Sequence, residues 1–149
     1  MDISDSGKLN IREMTDTDLP VVQTLWKEAG FNLSFSDTLP ELKKMLQHNP
    51  NLCLVLELSN NEKKIIGAVL GGFDGRRGWI HHLAINPLYQ NKRIGTKIMD
   101  ELTQRFENMG VAKLKLEILE KNKNVIEFYK KIGWDLRNDL KTMSLTLKR

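Results

Sequence analysis

One stretch of the chain, WIHHLAINPLYQNKRIGTKIM at residues 79–99, joins a strand-like segment to a helix through a short polar loop. The helix is predicted to begin near Ile94, because apolar residues then recur at helical spacing. The first backbone N–H groups of a helix have no partner inside it, and the aligned peptide dipoles place partial positive charge there. Gly95 would let a ligand approach this backbone closely. Three flanking side chains add charge and hydrogen-bond donors: Lys92, Arg93 and Thr96. The stretch therefore predicts an anion-binding site at the start of this helix, and the alternative is a solvated turn.

Motifs of other phosphate-binding and metal-binding folds are missing from the sequence. The chain has no GxxxxGK[ST], which excludes a nucleoside-triphosphate loop of that type, and no GxGxxG typical of dinucleotide-binding folds. Cys53 is the only cysteine, so an internal disulfide and a CxxC zinc site are excluded. Its strand-like surroundings, LCLVLEL, predict a core side chain. No metal is expected.

Length and composition indicate one ordinary globular domain. The chain has 149 residues, of which 40% are hydrophobic and 28% charged, with a net charge of +4. The basic residues are scattered and not concentrated with aromatic ones, so no nucleic-acid partner is expected. No apolar run approaches the roughly 20 residues of a membrane span, and the first residues lack the apolar core of a signal peptide. A cytoplasmic protein without a membrane partner is predicted.

The order of periodic segments predicts the fold class. Helical spacing and end signals predict four helices, at 15–30, 37–48, from Ile94 to Gly110, and at 124–133. Strand-like patterns occupy 9–14, 52–59, 63–73, 77–85, 112–119, a segment from Trp134 onward and TMSLTLKR at 142–149. The order β-α-α-β-β-β-α-β-α-β-β predicts an α/β domain with a mixed, mostly antiparallel sheet of about seven strands. Residues 1–7 are predicted to be a flexible tail and 8–149 the domain.

Two motifs give the chain a family resemblance. LAINPLYQNKRIGTKIM resembles motif A of the GNAT superfamily of acetyl-CoA-dependent N-acetyltransferases, in which [QR]xxGx[GA] binds the pyrophosphate of the coenzyme. Gln90, Gly95 and Thr96 fit this pattern, while Arg93 replaces the first glycine. NKNVIEFYKKIGW is similar to the superfamily's NxxAxxxYxxxGF, with Val125 in place of the alanine. GGFDGRRGWIHHLAINP resembles one bacterial branch, and EIL resembles a strand of the ribosomal-protein alanine N-acetyltransferases.

The resemblance implies a GNAT fold, acetyl-CoA as co-substrate and a set of coenzyme-binding residues. The strands WIHHLAI and KLKLEIL would splay apart, with the coenzyme between them and backbone groups of 83–85 bound to its pantetheine arm. A backbone N–H there would polarise the acetyl carbonyl. The coenzyme-binding residues implied in this way are Leu83, Ala84, Ile85, Gln90, Asn91, Lys92, Arg93, Ile94, Gly95, Thr96 and Asn122.

Arg93 stands where the motif has a glycine, which leads to a prediction about its backbone. A glycine is required there only if φ is positive or if a Cβ would strike the phosphate, so the arginine predicts ordinary helical φ with the side chain turned outward. Its guanidinium could then reach a phosphate of the coenzyme. The alternative is a solvated arginine.

Two residues are candidates for acid and base. Tyr129 matches the motif tyrosine, and phenol, with a pKa near 10, can donate a proton to a leaving thiolate with a thiol pKa near 8.5. The alternative is that Tyr129 only packs the helix against the sheet. Glu117 matches the resembled enzymes as the base, acting through water because a carboxylate with a pKa near 4.3 is a weak base for an ammonium group. The alternative is a solvated glutamate on a strand face.

The remaining expectations concern the acceptor and the histidines. Adjacent strand residues face opposite sides, so His81 and His82 cannot jointly bind one metal ion. One of them is a candidate for lining the acceptor pocket, but packing or hydrogen bonding is the favoured role of each. The acceptor is expected to be a primary amine, on a small molecule or a protein N-terminus, and the protein to be a monomer or homodimer. Two rival interpretations are a non-catalytic acyl-CoA-binding regulatory module and a nucleic-acid-binding domain suggested by the pI near 9.2.

Overall fold

Five strands form one mixed sheet in the computed structural model, which describes residues 7–90 and 93–149. They are β1 (Lys8–Glu13), β2 (Leu54–Ser59), β3 (Lys63–Phe73), β4 (Gly78–Ile85) and β5 (Leu114–Leu116), side by side in that order. Each of the first four strands pairs antiparallel with its neighbour; short connections join β2 to β3 and β3 to β4, residues 14–53 lie between β1 and β2, and β5 pairs parallel to β4. A parallel pair needs a long crossover, which a helix supplies here.

The four predicted helices are all present in the described residues. They are α1 (Leu19–Glu28), α2 (Leu39–His48), α3 (Ile94–Asn108) and α4 (Lys123–Lys131). Proline lies in the first turn of α1 and of α2, where its missing N–H would have no helical partner in any case. Short 3-10 turns precede α1, α2 and the loop before α3, at Asp16–Asp18, Phe35–Asp37 and Pro87–Tyr89.

Two apolar clusters, one on each face of the sheet, hold the helices in place. Helices α1 and α2 cover one face, where Trp26 is fully buried against strand residues such as Val55 and Ala68. Helices α3 and α4 cover the other face, where Phe106 and Tyr129 join the larger cluster. The sheet is therefore the middle layer of an α/β domain, and its faces carry different helix pairs.

The two strands predicted at the C-terminus are wrong, and the sheet has five strands in the described residues instead of about seven. Residues 141–149 pair with no described strand, and the apolar side chains of the alternating segment are 94%, 85% and 86% exposed at Met143, Leu145 and Leu147. Alternation alone does not make a strand, because strand hydrogen bonds come from a neighbouring segment. The predicted tail also lies mostly outside the described residues, which omit 1–6.

The pairing between β4 and β5 is short and leaves part of β4 open on one side. Strands β4 and β5 pair only from Gly78 to Ile80 of β4, with Leu114 to Leu116 of β5. Beyond Ile80, β4 continues to Ile85 and stays paired with β3 on one side. On its other side, where β5 pairs with Gly78 to Ile80, no described strand pairs with this part of β4. The predicted splaying of these two strands is therefore present. A β-bulge interrupts the pairing of β3 with β4 between Ala68 and Leu70.

Candidate active site

The backbone at Arg93 contradicts the prediction of helical φ. Arg93 has φ 61° and ψ 17°, in the left-handed region, and it is the N-cap residue of α3. Its carbonyl oxygen accepts a hydrogen bond from the Lys97 N–H at 3.1 Å, and its side chain is exposed. Arg93 thus has a conformation that a glycine would adopt easily, and an L-residue with a Cβ occupies it at a cost of about 1–2 kcal/mol.

Gly95 serves the packing of α4 as well as the start of α3. A Cβ added at Gly95 would lie 3.3 Å from Cζ of Phe128, so the ring of Phe128 occupies the space that a larger residue would need. Ile94 beside it is fully buried, and Thr96 is half-buried. The other two predicted loop residues, Asn91 and Lys92, lie outside the described residues.

The end of β4 carries the predicted backbone groups. Ala84 and Ile85 are buried and pair with β3, while Leu83 is half-buried. The Gln90 side chain donates from Nε2 to the carbonyl oxygen of Ile85 at 3.1 Å. This hydrogen bond ties the loop back to the strand that precedes it, so Gln90 has a structural role in addition to the one that the resemblance implies.

Tyr129 combines a buried ring with a hydroxyl that is available to a bound molecule. The ring belongs to the core cluster and packs edge-on against Phe128 and Trp134, at centroid distances of 5.1 and 5.5 Å. The described residues give its hydroxyl no hydrogen bond. Burial raises the pKa of Tyr129 well above its ordinary value, so the phenol stays protonated at neutral pH.

Asn122 occupies the N-cap position of α4 without a capping hydrogen bond from its side chain. Its carbonyl oxygen accepts from the N–H groups of Val125 and Ile126, at 3.1 Å each. The residue is exposed, so its side-chain amide faces outward from the helix start.

Glu117 lies one residue beyond the end of β5 and is exposed. Leu116 and Ile118 on either side pack against the cluster of α3 and α4, which turns Glu117 towards the opposite face. Desolvation lowers the pKa of His81, and the charge of Glu117 acts in the opposite direction.

Both histidines line one cleft, which contradicts the prediction that neighbours on a strand face opposite sides. The bulge gives His82 a φ of 51°, so the alternation of side chains fails there. The cleft has a volume of about 680 Å³ and is walled by α2, the 3-10 turn before it and β4. Its lining residues include Ser34, Asp37, Glu41, Lys44, His48, His81 and His82.

The electrostatics of the cleft centre on a buried carboxylate that sequence analysis missed. Asp37 is buried, and its Oδ1 lies 2.9 Å from Nε2 of His82. Desolvation lowers the pKa of His81, the neighbouring His82 lowers it further, and Glu117 and Asp37 act in the opposite direction. No sequence pattern signals this pair. Asp37 lies in the 3-10 turn before α2 and His82 at the bulge of β4, and only the packing of these two elements brings the side chains together.

Comparison with known proteins identifies the family. Residues 19–134 match the Acetyltransferase (GNAT) family. The chain belongs to this family. An acetyltransferase of Pectobacterium atrosepticum is 29% identical over 127 residues, which cover 85% of this chain and 88% of the relative.

Solved structures of GNAT acetyltransferases share the fold of this chain. The PaiA N-acetyltransferase of Thermoplasma acidophilum, in complex with coenzyme A, has a TM-score of 0.75 at 17% identity and covers 88% of this chain and 92% of its own. A ribosomal-protein alanine N-acetyltransferase of Escherichia coli has a TM-score of 0.67 at 24% identity, with coverages of 85% and 77%. The predicted α/β GNAT fold is confirmed, and the protein is an acetyltransferase.

The described residues lack two further features. Within residues 7–90 and 93–149, no group of three or more His, Cys, Asp or Glu side chains is placed to hold a metal ion. In the same ranges, no helix has both the length and the apolar character needed to cross a membrane.

Proposed function

We propose that this GNAT protein transfers the acetyl group of acetyl-CoA to a primary amine by direct attack in the gap between β4 and β5. The observation that supports this most is the unpaired side of β4 beyond Ile80, which lies between the start of α3 and the cleft at His81 and His82. A thioester lying along this strand would have its diphosphate at one end of the gap and its acetyl group near the cleft.

The coenzyme would be bound mainly by backbone groups. Amides at the start of α3, at Ile94, Gly95 and Thr96, would receive the diphosphate, because they lie at the end of the helix that carries partial positive charge. Backbone groups of Leu83 and Ala84 would hold the pantetheine arm, and the Asn122 amide would add a contact from α4. The guanidinium of Arg93, which is exposed beside this loop, would approach a phosphate oxygen.

Acid and base would act from opposite sides of the gap. Glu117, through a water molecule, would take a proton from the acceptor ammonium, and the neutral amine would then attack the thioester carbonyl. As the C–S bond breaks, Tyr129 would donate a proton to the sulfur and recover one from the new amide nitrogen. Burial raises the pKa of Tyr129, which keeps the phenol in its donor form at neutral pH but makes it a weaker acid, so the motif match carries this assignment.

The acceptor would carry its amine into the cleft lined by α2. A protein N-terminus is supported by the structural likeness to a ribosomal-protein alanine N-acetyltransferase, and a small-molecule amine by the open mouth and mixed polar lining of the cleft. The two kinds of acceptor are distinguished by measuring release of free thiol with a peptide that begins with alanine, with spermidine and with an aminoglycoside.

Two measurements test the proposed function. Acetyl-CoA and coenzyme A are expected to raise the melting temperature, because a ligand that binds only the native state stabilises it, whereas duplex DNA is expected to leave it unchanged. Tyr129→Phe is expected to lower kcat by about 10²-fold with little change in coenzyme affinity. Coenzyme binding without turnover on any of the three amines would favour an acyl-CoA-binding module instead.

A further inference from the structure

His82 is held in a strained backbone conformation by contacts on several sides. Its φ of 51° is unusual for a residue within a strand, and such conformations persist only where the surroundings enforce them. Nε1 of Trp26 donates to the His82 carbonyl oxygen at 2.9 Å. The imidazole packs against the rings of Trp26 and Phe31, each at a centroid distance of 4.9 Å. The orientation of this ring is therefore fixed by neighbours on α1 and the segment after it.

Asp37 fixes one nitrogen of the imidazole. Its Oδ2 accepts from the Ser34 N–H at 3.0 Å and lies 3.4 Å from the Ser34 hydroxyl. Its Oδ1 is 2.9 Å from Nε2 of His82, and its backbone oxygen accepts from the Gln23 side chain at 2.8 Å. A carboxylate only accepts hydrogen bonds, so we assign the proton of this contact to Nε2 of His82.

The other nitrogen of His82, Nδ1, is not fully buried. The described residues give Nδ1 no hydrogen-bond partner, and every fully buried polar side-chain atom among them has one. Nδ1 is therefore not fully buried, and the side chain that carries it is 28% exposed and lines the cleft. With its proton on Nε2, a neutral imidazole presents a lone pair at Nδ1.

We propose that His82 is a second base of the acceptor cleft, beside Glu117, and that Asp37 is its positioning residue. The inference rests on the proposed function. The acceptor ammonium loses one proton before the attack; Nδ1 of His82 takes this proton, directly or through one water molecule, in parallel with the route through Glu117, and the neutral amine then attacks the thioester. Asp37 stabilises the imidazolium that results, and the proton then passes to solvent. Imidazole suits this task better than a carboxylate, because its ordinary pKa lies closer to neutral pH.

Other charged groups around the cleft do not replace His82 in this role. Glu41 and Lys44 on α2 pair with each other at 2.7 Å. His81 is exposed, with a lowered pKa, and has no carboxylate in hydrogen-bond contact among the described residues. The remaining titratable groups around the cleft are His48, which lines it from α2, and Glu117 after β5, whose charge acts on His81.

The experiment compares His82→Gln with His81→Gln and Glu117→Gln. Glutamine keeps an N–H donor in reach of Asp37 but cannot take up a proton, so the cleft is expected to keep its shape. The readouts are kcat/KM from pH 6 to pH 9 with the alanine peptide, spermidine and the aminoglycoside, and the dissociation constant of coenzyme A. His82→Gln is expected to lose about 10²-fold in kcat/KM at pH 7, with a deficit that shrinks as the amine deprotonates by itself. Its coenzyme affinity is expected to stay unchanged.

The matched variants distinguish a role of His82 as a base from a purely structural role. His81→Gln is expected to lose less than tenfold and to keep the acid limb of the profile. Asp37→Asn is expected to lower kcat/KM and to abolish the Nε2–H preference of His82, as read from imidazole ¹⁵N shifts. A His82→Gln enzyme with the wild-type rate and pH profile would overturn the inference while leaving acetyl transfer intact. Absence of wild-type turnover on all three amines would refute the proposed function and this inference together.

Discussion

The left-handed backbone at Arg93 makes a quantitative prediction about glycine and alanine at this position. Both substitutions remove the guanidinium, so their difference reports the backbone alone. A Cβ at φ 61° costs about 1–2 kcal/mol, which glycine avoids. Glycine loses about 0.5–1 kcal/mol of this advantage, because the unfolded chain is more flexible at a glycine. Arg93→Gly should therefore be more stable than Arg93→Ala by about 1 kcal/mol. For a chain of this length that corresponds to a difference of about 2–4 °C in melting temperature.

Urea unfolding and thermal melting of the two variants, in the absence of coenzyme, measure this difference. An alanine variant as stable as the glycine variant would refute the left-handed conformation of the loop. The KM for acetyl-CoA, measured on the same two proteins, tests the proposed phosphate contact separately. An increase shared by both variants supports the contact, and wild-type values in both would exclude it.

Three further predictions concern packing, pH and thiol reactivity. Gly78→Ala should lower the free energy of unfolding by about 2 kcal/mol, since an added Cβ would lie 2.6 Å from the Phe106 ring; an unchanged urea midpoint would contradict this packing. Burial acts to raise the pKa of Asp18, but hydrogen bonds from Arg12 and from the preceding turn outweigh it and lower that pKa. The stability from this carboxylate is present above its ordinary pKa and is lost as pH falls through the lowered value, so Asp18→Asn should lose less stability than wild type between about pH 5 and pH 2.5. Burial raises the pKa of the Cys53 thiol to about 11, so iodoacetamide at pH 8 should label it only after unfolding, and labelling of the native protein at the rate of a free thiol would count against this.

Much of the architecture follows from local sequence patterns. The apolar spacing of α3 and the prolines at the starts of α1 and α2 predict these helices, because they reflect interactions within a few residues. The antiparallel connections before and after β3 follow from turn-forming residues such as Asp74, whose Oδ1 accepts from the N–H groups of Arg76 and Arg77. Motif spacing likewise placed Tyr129 and Gln90 on the correct elements.

The features that sequence analysis missed depend on contacts between distant segments. The positive φ at His82 comes from a bulge against β3 and from the Trp26 side chain, neither of which leaves a local signal. The role of Asp37 depends on a partner 45 residues away in the chain. The strand pattern of 142–149 is a local feature, but a strand also requires a partner, which the pattern does not supply. At Arg93 the side chain suggested helical backbone, whereas the loop around it imposed another conformation.

The space left free at Gly95 connects α3 with α4. A Cβ at position 95 would lie 3.3 Å from Cζ of Phe128, and Phe128 directly precedes Tyr129. Under the proposed function, a bulkier residue at position 95 would press on the helix that carries the proposed acid as well as on the proposed diphosphate site. Changes at the start of α3 are therefore expected to require matching changes in α4.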